Sequence, residues 1–489
     1  MSFMNRFIVF AMAALATAVL VDPSWAQEVA APAAKAPDLT VDKGDTTWML
    51  ISTIIVLLMT VPGLALFYGG MVRTKNMLSV LTQVLAIQAI ACLVWFCWAY
   101  SIAFTSGADH GFGSFFGGFT KIFANTVEGS VPLTNKVESF SIGVGMYEWL
   151  FMCFQMTFCA ITTALAIGGF AERIKFSAIV AFAILWPTVV YAPIAHMVWY
   201  WPGPSGVATG STDVPGLIWS FGALDFAGGT VVHITAGIAG FVGAILLGRR
   251  LGYGKEPMPP HSLVLTMVGA SLLWVGWFGF NAGSNLESNE YAILAMANTF
   301  IATAAAGLSW MLVEWLFKGK PSLLGLVSGV VAGLVAVTPA SGFVGPMGAL
   351  VLGLVAGIVC FFFCTAIKSA LGYDDTLDVF GIHAVGGILG ALATGILVDP
   401  ALGGAGIVDY AKCTVTDGVY GAPCGALEYN MATQLLAQAK GVLVTVAWSA
   451  IGSLAVYTVI AVVFGLRVSE EKEREGLDIS EHGERAYNM

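Results

Sequence analysis

The chain has 489 residues, of which 57% are hydrophobic and only 10% are charged, and its net charge is −9. So few charges over so long a chain exclude a soluble globular protein. The apolar runs are continuous and about 20 or more residues long, which favours helices over a barrel. The sequence therefore predicts an all-α polytopic membrane protein. The sequence has no basic patch with interleaved aromatic residues, so it does not predict binding of nucleic acid.

The first residues have the pattern of a secretory signal peptide. Arg6 gives a positive start, an apolar run follows, and Ala26 ends a short stretch with small residues. We predict cleavage after this stretch, so that the signal peptide is 1–26; the alternative is an uncleaved first helix. Residues 27–46, rich in Ala, Pro and Asp, are then expected to form a flexible periplasmic segment.

Eleven apolar segments of spanning length follow, and together they define a membrane domain over 47–466. They cover 47–70, 76–103, 147–169, 176–199, 226–248, 262–283, 291–317, 321–340, 344–371, 379–398 and 439–466. An odd number fits two inverted five-helix repeats, 47–248 and 262–398, with the eleventh helix as an addition.

Positive charge predicts the orientation of these spans. The loops after odd-numbered spans and the tail 467–489 carry fourteen Lys and Arg residues, whereas the opposite side of the mature chain carries six. Cytoplasmic loops are enriched in these residues. We therefore expect a multi-pass protein of the cell inner membrane, with a periplasmic N-terminus and a cytoplasmic C-terminus.

Two of the eight cysteines lie in a polar loop. Cys413 and Cys424 belong to the stretch KCTVTDGVYGAPCGA, whereas the other six lie within apolar runs. If the loop is extracytoplasmic, the two thiols can form a disulfide. The spacing leaves the disulfide and two free thiols open.

Two histidines recur in similar apolar contexts. His233 and His383 both begin the pattern H-x-x-(Ala/Gly)-Gly-Ile-x-Gly, and each has an aspartate upstream, Asp225 and Asp378. An intramembrane ionisable residue indicates a functional site, and a repeated one indicates a site at the interface of two repeats. The alternatives are two hydrogen-bonded core histidines and a zinc site, for which two ligands are too few.

The depth of the two histidines leaves their contact open. In straight helices His233 lies roughly 11 Å below the outer surface and His383 roughly 8 Å from the inner one. Across a hydrocarbon core of about 30 Å this leaves a gap of order 10 Å. Helix tilt or different helix boundaries must close that gap if the rings touch.

Several segments resemble the ammonium transporter family (Amt/Mep/Rh), particularly its bacterial members. The segment GALDFAGGTVVH (222–233) is similar to the family signature. Other matching segments are FQMTFCAIT (154–162), GGFAERIKF (168–176), AHMVW (195–199), GWFGFNAGS (276–284), GKPSLLG (319–325), DVFGIH (378–383) and GLRVSEEKEREGLD (465–478). The departures from the family pattern are loops, the long one after Trp199 and the one between Cys413 and Cys424.

The resemblance implies an ammonium channel with a twin-histidine pore. In the family the rings that match His233 and His383 join through their Nδ atoms in a narrow apolar path, where desolvation disfavours the imidazolium form. Such a pair gives NH3 hydrogen-bonding groups along the path and can relay a proton. Two readings of the matching Asp225 stay open, attraction of a cation and capping of a helix; we favour capping in support of the site. Asp378 is read as structural.

The resemblance also implies an outer site with aromatic rings. Trp199, Phe158 and Ser284 match the family's ammonium recruitment site, where a cation sits over the indole face. Phe158 and Phe280 match the two stacked rings of the family's gate, and Phe154 is a supporting ring. Without the family, Trp199 reads as an interfacial tryptophan.

Function and partners also follow from the resemblance. It implies ammonium uptake, with methylammonium as an analogue, a homotrimer in the bilayer, and a PII-type regulatory protein on an ordered tail. Two alternatives stay open, a neutral gas channel of the Rh type and an ammonium sensor that signals through the tail. The sequence shows no catalytic motif, so we do not expect an enzyme. We also expect neither a cofactor nor a metal.

Overall fold

Long apolar helices make up most of the computed structural model, which describes residues 38–108, 110–124, 132–416, 419–421 and 424–487. The helices are α1 (Lys43–Met71), α2 (Thr74–Phe104), α3 (Glu148–Gly169), α4 (Phe176–Trp199), α5 (Gly229–Leu247), α6 (Leu263–Asn285), α7 (Glu290–Lys318), α8 (Leu323–Val337), α9 (Pro346–Leu371), α10 (Phe380–Leu397) and α11 (Met431–Val463). The predicted signal peptide, 1–26, lies outside the described residues.

The helical membrane class predicted from composition is confirmed. In the described part of the chain, ten of these helices are long and apolar enough to cross a membrane. The exception is α8, which has 15 residues and is therefore only about 22 Å long. It coincides with the eighth predicted span, so the count of eleven spans and their inverted threading stay predictions.

The start of the membrane domain differs from the predicted boundary. Residues 38–46 were expected to end a flexible segment, but Thr40–Val41 (β1) pairs with a later strand and α1 begins at Lys43. The Asp42 side chain accepts hydrogen bonds from the backbone N–H groups of Gly44 and Asp45. This N-cap starts the helix four residues before the predicted boundary at residue 47.

In the described part of the chain, three small sheets add to the predicted all-α architecture. The first has the order β1-β3-β2, where β2 is Lys136–Glu138 and β3 is Val144–Tyr147; β1 runs parallel to β3, and β2 antiparallel. Two antiparallel pairs lie in the loop before α11: β4 (Val408–Asp409) with β7 (Gly425–Ala426), and β5 (Thr414–Thr416) with β6 (Val419–Gly421). A disulfide joins Cys413 and Cys424 in this loop.

The tail folds back onto the loops that follow α1, α3 and α5. Its helix α12 (Glu470–Glu475) accepts a hydrogen bond from the loop after α5 through Glu473, and its helix α13 (Leu477–His482) supplies acidic side chains to two helix N-termini. Asp478 accepts hydrogen bonds from the backbone of Leu78 and Ser79 in α2, and Glu481 accepts one from Phe176 in α4. These contacts place the three loops and the tail on one face of the molecule.

A buried ion cluster ties the same loops together. Glu172 pairs with Arg73 at 3.0 Å and with Arg250 at 2.7 Å, and Arg250 pairs with Asp374 at 2.8 Å. Burial alone would raise the pKa of the Glu172 carboxyl, but the guanidinium groups of Arg250 and Arg73 lower it to about 2. Glu172 is therefore ionised at neutral pH, as buried charges are when they are paired.

Candidate functional site

Both histidines lie in short π-helical turns at the starts of their helices. The first turn spans Gly229–Ile234 in α5 and the second spans Phe380–Ala384 in α10. Asp225 holds the first one in place: its two carboxylate oxygens accept from four backbone N–H groups, those of Gly228 to Val231, and from the Thr230 hydroxyl. The capping geometry predicted for this aspartate is present.

The inner counterpart of Asp225 is Asp375, and the pairing of Asp225 with Asp378 was wrong. Asp225 and Asp375 each lie eight residues before their histidine, whereas Asp378 lies five before it. The Asp375 Oδ2 atom accepts from Phe380 N at 2.8 Å, the same five-residue step as from Asp225 to Thr230. Asp378 instead pairs with Lys368 at 2.7 Å. The equal spacing was visible in the sequence.

Two glycines let α5 and α10 approach each other closely. A Cβ atom on Gly237 would lie 2.3 Å from the backbone nitrogen of Ala384. A Cβ atom on Gly387 would lie 2.9 Å from the Gly229 carbonyl oxygen and 3.2 Å from the His233 Cβ atom. Each glycine follows its own histidine by four residues, so the close approach is repeated in the two halves.

The close approach brings the two imidazoles into contact. The Nδ1 atoms of His233 and His383 are 3.3 Å apart, and the rings are 1% and 4% exposed. The gap of order 10 Å expected for straight helices is wrong, because α5 and α10 approach each other closely at Gly237 and Gly387, one turn after each histidine. Since Nδ1 faces Nδ1, one ring donates and the other accepts.

A narrow apolar cavity runs along the histidine pair. Apart from the two imidazoles it is lined by hydrophobic side chains, namely Met59, Leu64, Phe67, Ile161, Leu165, Val232, Leu273, Trp277, Phe280 and Val331. The His233 Nε2 atom is buried and has no hydrogen-bond partner among the described residues. A small polar molecule in this cavity would find the imidazoles as its hydrogen-bonding groups.

Trp277 belongs to this site, although the sequence argument did not single it out. Its ring stacks on His233 with centroids 5.3 Å apart and planes at 19°. Its Nε1 atom donates to the Thr338 hydroxyl at 2.9 Å, which fixes the orientation of the indole. The signal was present, because Trp277 lies one turn before Phe280 in the segment GWFGFNAGS.

Two stacked phenylalanines lie next to the histidine pair. The rings of Phe158 and Phe280 are parallel within 15° and their centroids are 4.1 Å apart, and the Phe280 centroid is 6.0 Å from that of His233. Phe154 contacts Phe158 at 4.9 Å. A pair stacked at this distance leaves no space between the rings, so it closes the path unless the rings rotate.

The predicted outer residues surround this ring pair. Trp199 contacts Phe158 edge to face at 6.0 Å, and its indole N–H donates to the Asp225 carbonyl oxygen at 3.1 Å. The Ser284 hydroxyl donates to the Phe280 carbonyl oxygen at 2.7 Å, which leaves its lone pairs as acceptors. The structure thus links all the predicted site residues to a single site, while their roles stay predictions.

Comparisons with known proteins agree on one family. The sequence model of the Ammonium Transporter Family matches residues 47–487. An ammonium transporter of Aquifex aeolicus is 44% identical over 93% of this chain and 96% of its own length, and one of Bacillus subtilis is 40% identical over 91% and 98%. Among solved structures, Saccharomyces cerevisiae Mep2 has a TM-score of 0.73 and 30% identity over 88% of this chain and 89% of its own.

A solved structure described as a sensor Amt protein is similar as well, with a TM-score of 0.75 and 27% identity over 90% of this chain and 98% of its own. The family match covers all but the first four residues of α1, the whole of α2 to α11 and the tail up to residue 487, and the helical membrane architecture agrees with the solved relatives. The chain belongs to the ammonium transporter family.

Proposed function

We propose that this protein takes up ammonium through a twin-histidine pore in each subunit. The observation that supports this most is the contact between two buried imidazoles, with Nδ1 atoms 3.3 Å apart, inside a cavity whose other lining is hydrophobic. The test measures both the ammonium-dependent current and the NH3-driven alkalinisation of the interior in proteoliposomes that contain the purified protein, and absence of both signals contradicts the proposal. Vesicles without protein must lack this current.

The proposed path begins at the aromatic outer site. Ammonium rests over the Trp199 indole by cation–π attraction and donates a hydrogen bond to Ser284. It loses its proton at or below the ring pair of Phe158 and Phe280, because the apolar cavity disfavours a cation. NH3 then passes the imidazoles, with or without a separately relayed proton. Potassium has no proton to lose, so the same cavity excludes it.

The outer site favours ammonium uptake over a neutral gas channel of the Rh type. A channel for NH3 alone needs no site that attracts a cation. Here Trp199, Phe158 and Ser284 are linked through contacts to one ring pair. The curated relatives are named as ammonium transporters, which favours the same choice.

Replacing Trp199 by alanine is expected to weaken the apparent affinity for ammonium. Cation–π attraction is worth about 0.5–2 kcal/mol, so KM rises about 2- to 30-fold while the maximum rate changes little. Concentration dependence of the ammonium current measures both quantities. Trp219→Ala is the matched control, because this outer tryptophan stacks on Trp201 instead of on the gate. A lower maximum rate with unchanged KM would contradict the recruitment role.

We further propose the setting in which this pore works. The protein is a homotrimer in the inner membrane, with a cleaved signal peptide, a periplasmic N-terminus and a cytoplasmic C-terminus. The positive charges of the loops after α1, α3 and α5 support this orientation, because these loops share one face with the tail. The disulfide between Cys413 and Cys424 belongs to the opposite side, where the compartment is oxidising.

The tail is proposed to be a regulatory segment that a PII-type protein contacts. Its docking supports this role, since a partner that binds the tail also acts on the loops beneath it. Glu473 is 2% exposed, accepts from the backbone N–H of Leu251, and pairs with Arg467 at 2.7 Å. The Lys75 ammonium donates to the carbonyl oxygens of Glu473 and Arg474.

Glu473→Ala is expected to release the tail from the loop after α5. The change leaves the Leu251 N–H and the Arg467 guanidinium without their carboxylate, which costs about 1–3 kcal/mol of local stability. Tryptic cleavage of the tail should then be about 5- to 150-fold faster, since cleavage follows local opening. Glu470→Ala, at an exposed position of the same helix, is the control. Equal cleavage of both variants would show that Glu473 does not hold the tail.

A further inference from the structure

Asp375 differs from its outer counterpart in one respect, its unused hydrogen-bonding capacity. Both oxygens of Asp225 are occupied by donors. Asp375 is fully buried, uses Oδ2 for the Phe380 N–H, has the Val379 N–H nearby, and has no partner with normal hydrogen-bond geometry for Oδ1 among the described residues. A buried carboxylate oxygen without a donor is costly unless a function requires it or a proton occupies it.

The residues around Asp375 adjoin the helical turn of His383 and one residue that lines the cavity. Phe380, which it caps, precedes His383 by one turn in α10. Gly168 lies between two side chains: a Cβ atom on it would be 2.6 Å from the Val379 Cγ2 atom and 2.7 Å from the Tyr68 hydroxyl oxygen. Tyr68 of α1 and Val379 are therefore neighbours at this glycine. The Tyr68 hydroxyl donates to the carbonyl oxygen of Leu165, a residue that lines the cavity.

Few charged groups face this carboxyl. The Lys368 ammonium of α9 donates to the Asp375 carbonyl oxygen at 2.6 Å and to the Asp378 carboxylate at 2.7 Å, so it is already paired. The other titratable groups that act on Asp375 are Cys364 of α9, Tyr68 of α1, and Tyr373 and Asp378 of its own loop. Burial raises the pKa of Asp375 to about 6, although Lys368 opposes the shift. The carboxyl can therefore both gain and lose a proton near neutral pH.

We propose that Asp375 is the inner proton acceptor of the conduction path. The proposal rests on the proposed function, with a proton relayed apart from NH3. The proton that ammonium loses on the outer side passes along the imidazoles and binds the Asp375 carboxylate, which becomes a neutral carboxyl. The carboxyl then gives the proton to water at the inner face, and NH3 takes up a proton there. One ammonium ion enters, and Asp375 returns to its carboxylate form.

Asp375→Asn separates proton transfer from helix capping. The Asn side-chain oxygen still accepts from the Phe380 N–H, and Asn caps helices as well as Asp does. Its amide does not exchange a proton at neutral pH. Ammonium current through proteoliposomes reports the charge, and stopped-flow alkalinisation of the vesicle interior by an NH3 gradient reports the NH3 path. We expect current to fall at least about tenfold, with NH3 permeability close to wild type.

Asp378→Asn is the matched control, because this aspartate is partly exposed and does not cap α10. Asn tolerates its positive φ of 61°. The control should keep both readouts. If the Asp375→Asn variant does not fold, Asp375→Ser gives the same test, because Ser also caps without an acid.

Two results with the Asp375→Asn variant would overturn the proposal while leaving the pore assignment intact. One is a folded Asp375→Asn variant with full current. The other is a parallel loss of current and NH3 permeability, which assigns Asp375 a purely structural role. Wild-type protein that conducts NH3 without current also overturns it, since no proton then needs an acceptor. Wild-type protein that shows neither signal contradicts the proposed function itself.

Discussion

Replacing His233 or His383 with alanine is expected to lower ammonium conduction about 5- to 150-fold while the protein stays folded. Each substitution removes one of the two polar groups of an otherwise hydrophobic cavity. The remaining imidazole and the passing NH3 then each lack a hydrogen-bond partner, at a cost of about 1–3 kcal/mol. This cost corresponds to a rate about 5- to 150-fold lower. Ammonium current per reconstituted protein measures it.

His196 offers a matched control for the pore histidines. It is equally buried, but its two ring nitrogens lie 3.1 Å and 2.7 Å from the carbonyl oxygens of Ala103 and Gly113. We expect His196→Ala to lower thermal stability and to leave the preference for ammonium over potassium unchanged. Pore variants with wild-type current and selectivity would show that the paired imidazoles have a packing role only.

Replacing Asp225 with alanine is expected to destabilise the protein by at least about 3 kcal/mol and to stop conduction. Five donors lose their acceptor at once, four of them backbone N–H groups at the start of α5. Each partly buried donor without a partner costs about 1–3 kcal/mol. Because the turn Gly229–Ile234 carries His233, its loss also displaces the imidazole. Thermal unfolding in detergent and ammonium current measure the two effects.

Two further variants limit the interpretation of this result. Asp225→Asn keeps one strong acceptor oxygen and should lie between wild type and Asp225→Ala in stability. Asp213→Ala, at an exposed position in the outer loop, should match wild type in both measurements. If Asp225→Ala were as stable as Asp213→Ala and lost only its affinity for ammonium, Asp225 would act on the cation and not on the helix.

The membrane fold could largely be predicted from the sequence, because hydrocarbon imposes long apolar helices. Helix α8 shows the limit: it is buried among other helices, so its length is not set by the bilayer alone. The short strands around Val144 and Thr414 were missed, since two to four residues carry too little periodicity. Their pairing depends on contacts between segments far apart in the chain.

The part of the site that could be predicted consists of residues whose sequence context recurs in the two halves of the chain. His233 and His383 were identified as a pair by their shared context, but their contact could not be derived from helix length. The contact depends on Gly237 and Gly387, which let the two helices approach closely. The sequence alone does not show which neighbouring helix a glycine faces. The mistaken pairing with Asp378 arose from the nearest aspartate, whereas the equal eight-residue spacing identifies Asp375.

We propose that ammonium gives up its proton before it passes two touching imidazoles in an apolar path. The ratio of ammonium to potassium current in proteoliposomes with wild-type protein tests it most directly. We predict current with ammonium and methylammonium and none with potassium at equal concentration and potential. A potassium current comparable to the ammonium current would mean that intact cations pass, which would contradict the claim.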